Sequence, residues 1–197
     1  LKEKKGIVFA NNFFKVFTFR VIIYLTILLA IFEIFMPFII YLLAPGFANE
    51  DMLLNQIILL SRITIFFMPL ISIVALLGVV TNISGRFWAI ATTPIILNIC
   101  LIFACFFIKE EELLKSLPLA LAIVTAGIFQ LIFMTIIIKK FNILKIKIKS
   151  TKKQKSEDTN DIKFYIKKTW TKFMPAAFGG GILQINLLVD TILASLL

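Results

Sequence analysis

Asp190 and Glu33 are the acidic side chains that lie deep inside long apolar runs of this 197-residue chain. An ionised carboxylate at that depth in a bilayer costs about 2.5 to 3.5 kcal/mol on insertion scales, so each marks a cavity or a partner. Asp190 has company. In GGGILQINLLVDTILASLL, Gln184, Asn186 and Thr191 stand close by, and Asn186 precedes Asp190 by one helical turn on a shared face. Oxygen donors grouped this way suit a sodium ion or a transferable proton, and they serve equally as hydrogen-bonding glue between helices. Glu33, flanked by Phe32, Ile34, Phe35 and Met36, is lonelier. Structural tolerance is as good a reading for it as function.

Other candidate chemistry is sparse. Asn82, Ser84, Gly85 and Arg86 form a tight turn before Phe87 and Trp88, where Arg86 is placed to meet a phosphate of a lipid head group. Anchoring of Arg86 and Trp88 in the membrane interface is the plainer expectation. Asn98, one turn beyond Pro94, is suited to cap carbonyls freed by the proline or to bond a neighbouring helix. The chain has no His and no cysteine cluster, which argues against a zinc site or a His-based catalytic triad. A membrane transferase acting on a polyprenyl phosphate would need acidic metal ligands, and the run Glu110 to Glu112 is the one candidate, with nothing around it in support. No catalytic residue, cofactor or enzymatic activity is expected. Cys100 and Cys105 fall about 140° apart around a helix and read as packing residues rather than a disulfide.

The elements that hold these residues follow from composition. Hydrophobic residues make up 60% of the chain, charged residues 16%, and mean hydropathy is +0.99, which excludes an ordinary soluble domain. Five runs are long enough to cross a hydrocarbon core: 21–43, 63–83, 87–108, 117–138 and 173–197. Unbroken apolar runs lack the alternation of barrel strands, so helices are the form that satisfies the backbone in lipid. The fold class expected is an all-α membrane protein with five transmembrane helices in one membrane domain. Pro37, Pro69, Pro94 and Pro175 predict kinks, and Gly179, Gly180 and Gly181 suit either bending or close packing of the last span.

The formal charge of +10 is spread over loops rather than one basic face, so nucleic acid is not an expected partner. The N-terminal segment, the turn Asn82 to Arg86 and the loop Lys139 to Lys172 together carry 18 of the 21 Lys and Arg residues. Arg62, Lys109 and Lys115 remain for the opposite side, with Glu50, Asp51 and Glu110 to Glu112 beside them. That asymmetry predicts a cytoplasmic N-terminus. The loop Lys139 to Lys172 alone holds 12 lysines and reads as a solvated connector. In its second half Ile162, Ile166, Trp170 and Phe173 recur at helical spacing among lysines, predicting a short amphipathic helix, with anionic membrane lipid as a further partner.

Three strings then carry a resemblance: LLAPGFANED after the first span, ISIVALLGVVTNISGRFWAIATTPIILNICLI across the next two, and MPAAFGGGILQINLLVDTILASLL at the end. They resemble the MurJ/MviN lipid II flippase family of the multidrug/oligosaccharidyl-lipid/polysaccharide exporter superfamily, in order and over nearly the whole chain. The resemblance implies a partial bundle of a fourteen-helix fold, these spans being similar to its third to seventh helices. It implies a protein of the bacterial plasma (inner) membrane that moves lipid II, the undecaprenyl-diphosphate-linked peptidoglycan precursor, to the outer leaflet by alternating access. Cell wall biogenesis and cell shape would depend on it. Gly85, Phe87, Pro94, Asn98 and Pro175 fall in the matching turn and helix strings. Asp190 matches the place where some members carry an acidic sodium ligand, so Na⁺ or H⁺ coupling is implied; the other ligands come from later helices. The arginines of the family's first two helices, and those after its seventh, have no counterparts here, and Glu33 stands where an apolar residue is expected. With Leu at position 1 and an apolar run at the end, a portion of a longer protein is expected. The alternatives are a related polysaccharide-lipid or multidrug exporter, or a truncated remnant without function.

Overall fold

A computed structural model of the chain describes residues 7–47, 51–108, 115–143 and 152–196, the last helix with its side chains at 161–175, 178–179 and 184–194. The described residues form helices joined by short turns. In chain order these are α1 (Ile7–Leu43), a 3₁₀ turn (Pro45–Phe47), α2 (Asp51–Thr64), α3 (Phe67–Ile83), α4 (Phe87–Ala91), α5 (Thr93–Cys105), α6 (Leu117–Lys140) and α7 (Lys152–Leu196).

Among the described residues, four stretches are long and apolar enough to cross a membrane: Phe9–Leu43, Asp51–Ile83, Phe87–Cys105 and Leu117–Lys140. The expected fifth span, 173–197, lies within α7 and partly outside the described residues; its described part contains the shorter apolar stretch Gln184–Ala194. Helical structure extends beyond the first two expected spans. At 37 residues α1 is about 55 Å long, well past a hydrocarbon core of about 30 Å. Helix also begins at Asp51 rather than residue 63, which moves Arg62 out of the expected loop and into α2.

Proline chemistry explains the breaks. Pro69 has no N–H for the carbonyl of Ile65, and the chain interrupts between Thr64 and Phe67, where the Met68 N–H takes that carbonyl at 3.0 Å. Pro94 leaves the carbonyl of Ile90 without its usual donor, and α4 gives way to α5 at Thr92. Pro118 is harmless because it falls at the start of α6, where N–H groups are unpaired anyway.

The order of contacts fixes helix directions. Gly127 of α6 lies against Phe67 and Leu70 at the start of α3, while Arg86 after α3 lies on Phe141 after α6, so α3 and α6 run the same way. Trp88 meets Phe133 and Thr93 meets Gln130, so α4 and α5 run opposite to α6. Phe9 meets Tyr165 and Tyr24 meets Trp170, giving α1 and α7 a common direction. The result is an up-and-down bundle.

Among the described residues, two separate clusters hold it. Val74, Ala89, Met134 and Ile137 form the centre of an α3–α4–α6 core. Lipid is as apolar as these side chains, so close fit rather than exclusion from water holds them. Small residues make that fit possible: Ala120, Ala122, Ala126 and Gly127 are all buried along α6. The second cluster joins Phe9 of α1 to Ile162 and Ile166 of α7, with Phe13, Phe17, Tyr165 and Trp170 around them. The expected amphipathic stripe therefore exists, but Ile162 and Ile166 are buried on α1 and are not free to lie on lipid. Nor is it a separate short helix, because α7 continues through it without a break.

Candidate functional site

Asn186 and Asp190 lie one turn apart on α7, with Gln184 and Thr191 nearby, and all four are exposed. The Thr191 hydroxyl donates back to the carbonyl of Leu187 at 2.7 Å, so it is spent on its own helix. The arrangement offers a carboxylate and an amide oxygen on an open helix face. Among the described residues no group of three or more His, Cys, Asp or Glu is placed to hold a metal ion. The α7 helix packs on α1 and on the Pro45–Phe47 turn. Pro175 is exposed inside the helix, and Gly179 is exposed too, with no atom within 4 Å of the place a Cβ would take. Close packing against the described residues therefore does not explain Gly179. The acidic run Glu110 to Glu112 lies outside the described residues.

The Arg86 turn is defined in detail. The Arg86 N–H donates to the Thr81 carbonyl at 2.9 Å and the Gly85 N–H to the Asn82 carbonyl at 2.9 Å. This reciprocal pair ends α3, and it needs the left-handed backbone that Gly85 supplies at φ +74°. A second copy ends α6: Ile143 donates to Ile138 and Asn142 to Lys139, both at 3.1 Å, with Asn142 at φ +48°. Both helices stop on the same side of the bundle, and their turns touch. The Arg86 guanidinium carbon lies 3.4 Å from the centre of the Phe141 ring, a cation–π contact, and Lys140 approaches the same ring at 6.0 Å. Phe87 and Trp88 are exposed beside them, with Trp88 edge-on to Phe133. Arg86 is thus held as one member of a basic, aromatic surface with Lys139 and Lys140.

At Pro94 the capping role offered to Asn98, beside that of bonding a neighbouring helix, falls to another residue. The carbonyl of Ile90, which has lost its usual donor, accepts a backbone N–H of the α4 cap and the Thr93 hydroxyl at 2.8 Å, while Asn98 is exposed farther along α5. Gln130, which sequence reading passed over, is 1% exposed and donates from Nε2 to the Thr93 carbonyl at 2.8 Å, tying α6 to the kink. A polar residue in the apolar run Leu117–Lys140 was the available signal.

Glu33 is not lonely either. Its Oε2 lies 3.8 Å from Nε of Arg62 on α2. Cys100 and Cys105 are free, as expected, although Cys105 is exposed rather than packed.

These features define the class: a multi-pass, all-α membrane protein with proline-broken helices and a basic end. The chain matches the family model described as lipid II flippase MurJ over residues 1–197, and it belongs to that family. It is 34% identical over 192 residues to the probable lipid II flippase MurJ of Rickettsia prowazekii (strain Madrid E), covering 94% of this chain and 34% of that protein. The corresponding protein of Haemophilus influenzae is 31% identical over 143 residues, 73% of this chain and 26% of its own length. That of Rhizobium meliloti (strain 1021) is 28% identical over 181 residues, 90% and 31%. The chain therefore spans about a third of the length of the curated relatives it matches.

Proposed function

We propose that this chain forms part of a flippase that moves lipid II from the cytoplasmic to the outer leaflet by alternating access, with no catalytic step. The observation that carries this reading is the match to the lipid II flippase family across all 197 residues. The physical features agree with it. Carrying a large charged head group across while its tail stays in lipid requires helices that can bend beside a polar path. Breaks at Pro69 and Pro94, with kink-prone prolines at 37 and 175, supply such helices.

The basic end, with Arg86, Lys139 and Lys140, faces the cytoplasm in this reading, as does the N-terminus, because positive residues are retained on that side. Moving Arg62 into α2 strengthens the asymmetry. Asp190, with Asn186, contributes oxygen donors for a coupling Na⁺ or H⁺, and the remaining donors come from other parts of the protein. Lipid II is the substrate and the bacterial plasma membrane the location.

The test is lipid II exposure on the outer leaflet of cells depleted of their own flippase. The intact protein containing this sequence is expected to restore exposure, and Asp190→Asn to lower it in a sodium-dependent way. Normal membrane insertion without lipid II exposure would remove the flippase reading. Equal exposure by the Asp190→Asn protein would remove the coupling role alone.

A further inference from the structure

Glu33 and Arg62 face each other at matching depth in the α1–α2 hairpin. Glu33 is ten residues before the end of α1 at Leu43, and Arg62 eleven after the start of α2 at Asp51. Each is thus about 15 Å along its helix from the hairpin tip. Both charges lie in apolar stretches, where each is the neutralising partner of the other.

The helices weaken on either side of this pair. Pro37 is four residues beyond Glu33, so the N–H it lacks is the one that would bond the backbone carbonyl of Glu33 itself. On the other strand of the hairpin, α2 ends at Thr64, two residues after Arg62, and the chain breaks before α3. The contact itself is a loose one. A single nitrogen–oxygen approach of 3.8 Å lacks the two parallel bonds of a tight guanidinium–carboxylate fork, and the Arg62 side chain is 46% exposed. The other oxygen, Oε1, is buried and has no hydrogen-bond partner among the described residues. The pair therefore has room both to tighten, by engaging Oε1, and to open.

We propose that the Glu33–Arg62 ion pair is a latch between α1 and α2 that limits how far α1 can bend at Pro37, so that opening it frees the outer end of α1 to swing relative to α2. A charge pair kept only to ease insertion would neutralise both groups without controlling that bend.

Spin labels on Phe38→Cys and Leu59→Cys, both exposed positions, read the distance between the outer parts of the two helices. The measurement uses the intact protein in lipid nanodiscs, with every native cysteine, Cys100 and Cys105 among them, replaced by alanine. The width of the distance distribution is expected to roughly double with Glu33→Gln or with Arg62→Gln, to widen no further when both are combined, and to narrow again in the swap Glu33→Arg with Arg62→Glu. Pro37→Ala, which restores the missing N–H, is expected to cancel the broadening caused by Glu33→Gln. Unchanged widths in the single variants, or a swap as broad as they are, would overturn the latch. Should neither single variant insert, insertion becomes the readout: recovery by both the swap and Pro37→Ala supports the latch, and failure of either overturns it.

Discussion

Gly78, against Ile90 of α4, and Gly127, on α6, set how closely α3 approaches its neighbours. A Cβ on Gly127 would stand 2.9 Å from the ring of Phe67 and 3.2 Å from Cβ of Leu70, and the latter belongs to the stiff part of its side chain. Gly127→Ala must push α3 and α6 apart, and overpacking of this kind costs about 1 to 3 kcal/mol. Thermal unfolding in detergent is expected to show a lower Tm for Gly127→Ala and an unchanged or higher one for Gly179→Ala, where nothing lies within 4 Å. Equal Tm values for the two variants would deny the close approach. Gly85 is required for a different reason. Its surroundings are open, but its φ of +74° is left-handed, so an L side chain costs about 1 to 2 kcal/mol. Gly85→Ala should therefore destabilise by that amount and Gly85→Asn by less, because asparagine tolerates the conformation, as Asn142 does in the matching turn of α6. The same assay checks this, and identical losses for Ala and Asn would count against it.

The breaks at Pro69 and Pro94 were legible in the sequence as expected kinks, whereas the helices run on through Pro37 and Pro175, and what stabilises the breaks was not legible. Pro69 and Pro94 announce themselves because a missing N–H is a property of the residue alone. The partner that rescues the freed carbonyl depends on geometry. Asn98 has the longer reach, yet the Thr93 hydroxyl is the group within 2.8 Å of the Ile90 carbonyl. Thr93→Val keeps the shape and removes that donor, leaving the Ile90 carbonyl with the backbone N–H of the α4 cap alone, so a loss of about 1 kcal/mol is expected. Adding Pro94→Ala returns a backbone N–H to the same carbonyl. The double variant is thus expected to recover part of the stability lost by Thr93→Val, as measured by the two unfolding midpoints; a further loss would mean that Thr93 acts elsewhere. The stripe Ile162, Ile166 and Trp170 was legible as an amphipathic helix for a similar reason, since spacing shows that a face is apolar. Spacing does not say what covers it, and Phe9 of α1, more than 150 residues away in sequence, does so. Glu33 and Arg62 were misread in the same way: their partnership depends on the fold of the hairpin.

At the scale of the whole bundle, charge and packing give the same account of direction independently. The lysine and arginine count comes from the sequence alone, whereas the up-and-down order comes from contacts such as Gly127 with Leu70 and Gln130 with Thr93. Both put Arg86, Lys139 and Lys140 at one end, with the start of α1 and the lysine-rich stretch of α7. The acidic start of α2 at Asp51 lies at the other end. A bilayer with a negative cytoplasmic surface and an inward-negative potential favours one insertion of such a molecule. Single cysteines test this directly in a background of Cys100→Ala and Cys105→Ala. Ser84→Cys and Asn142→Cys, at the exposed turns of the basic end, are expected to resist a membrane-impermeant maleimide in intact cells and to react once the cells are opened. Met52→Cys, exposed in the first turn of α2, is expected to react in intact cells. Labelling of Ser84→Cys together with Met52→Cys from outside would break the up-and-down order, because the two are separated by the single span Asp51–Ile83. The complete inverse, with the basic end labelled from outside and Met52→Cys protected, would keep the bundle and reverse its orientation, placing Arg86 and its lysines away from the leaflet where lipid II is collected in the proposed reaction.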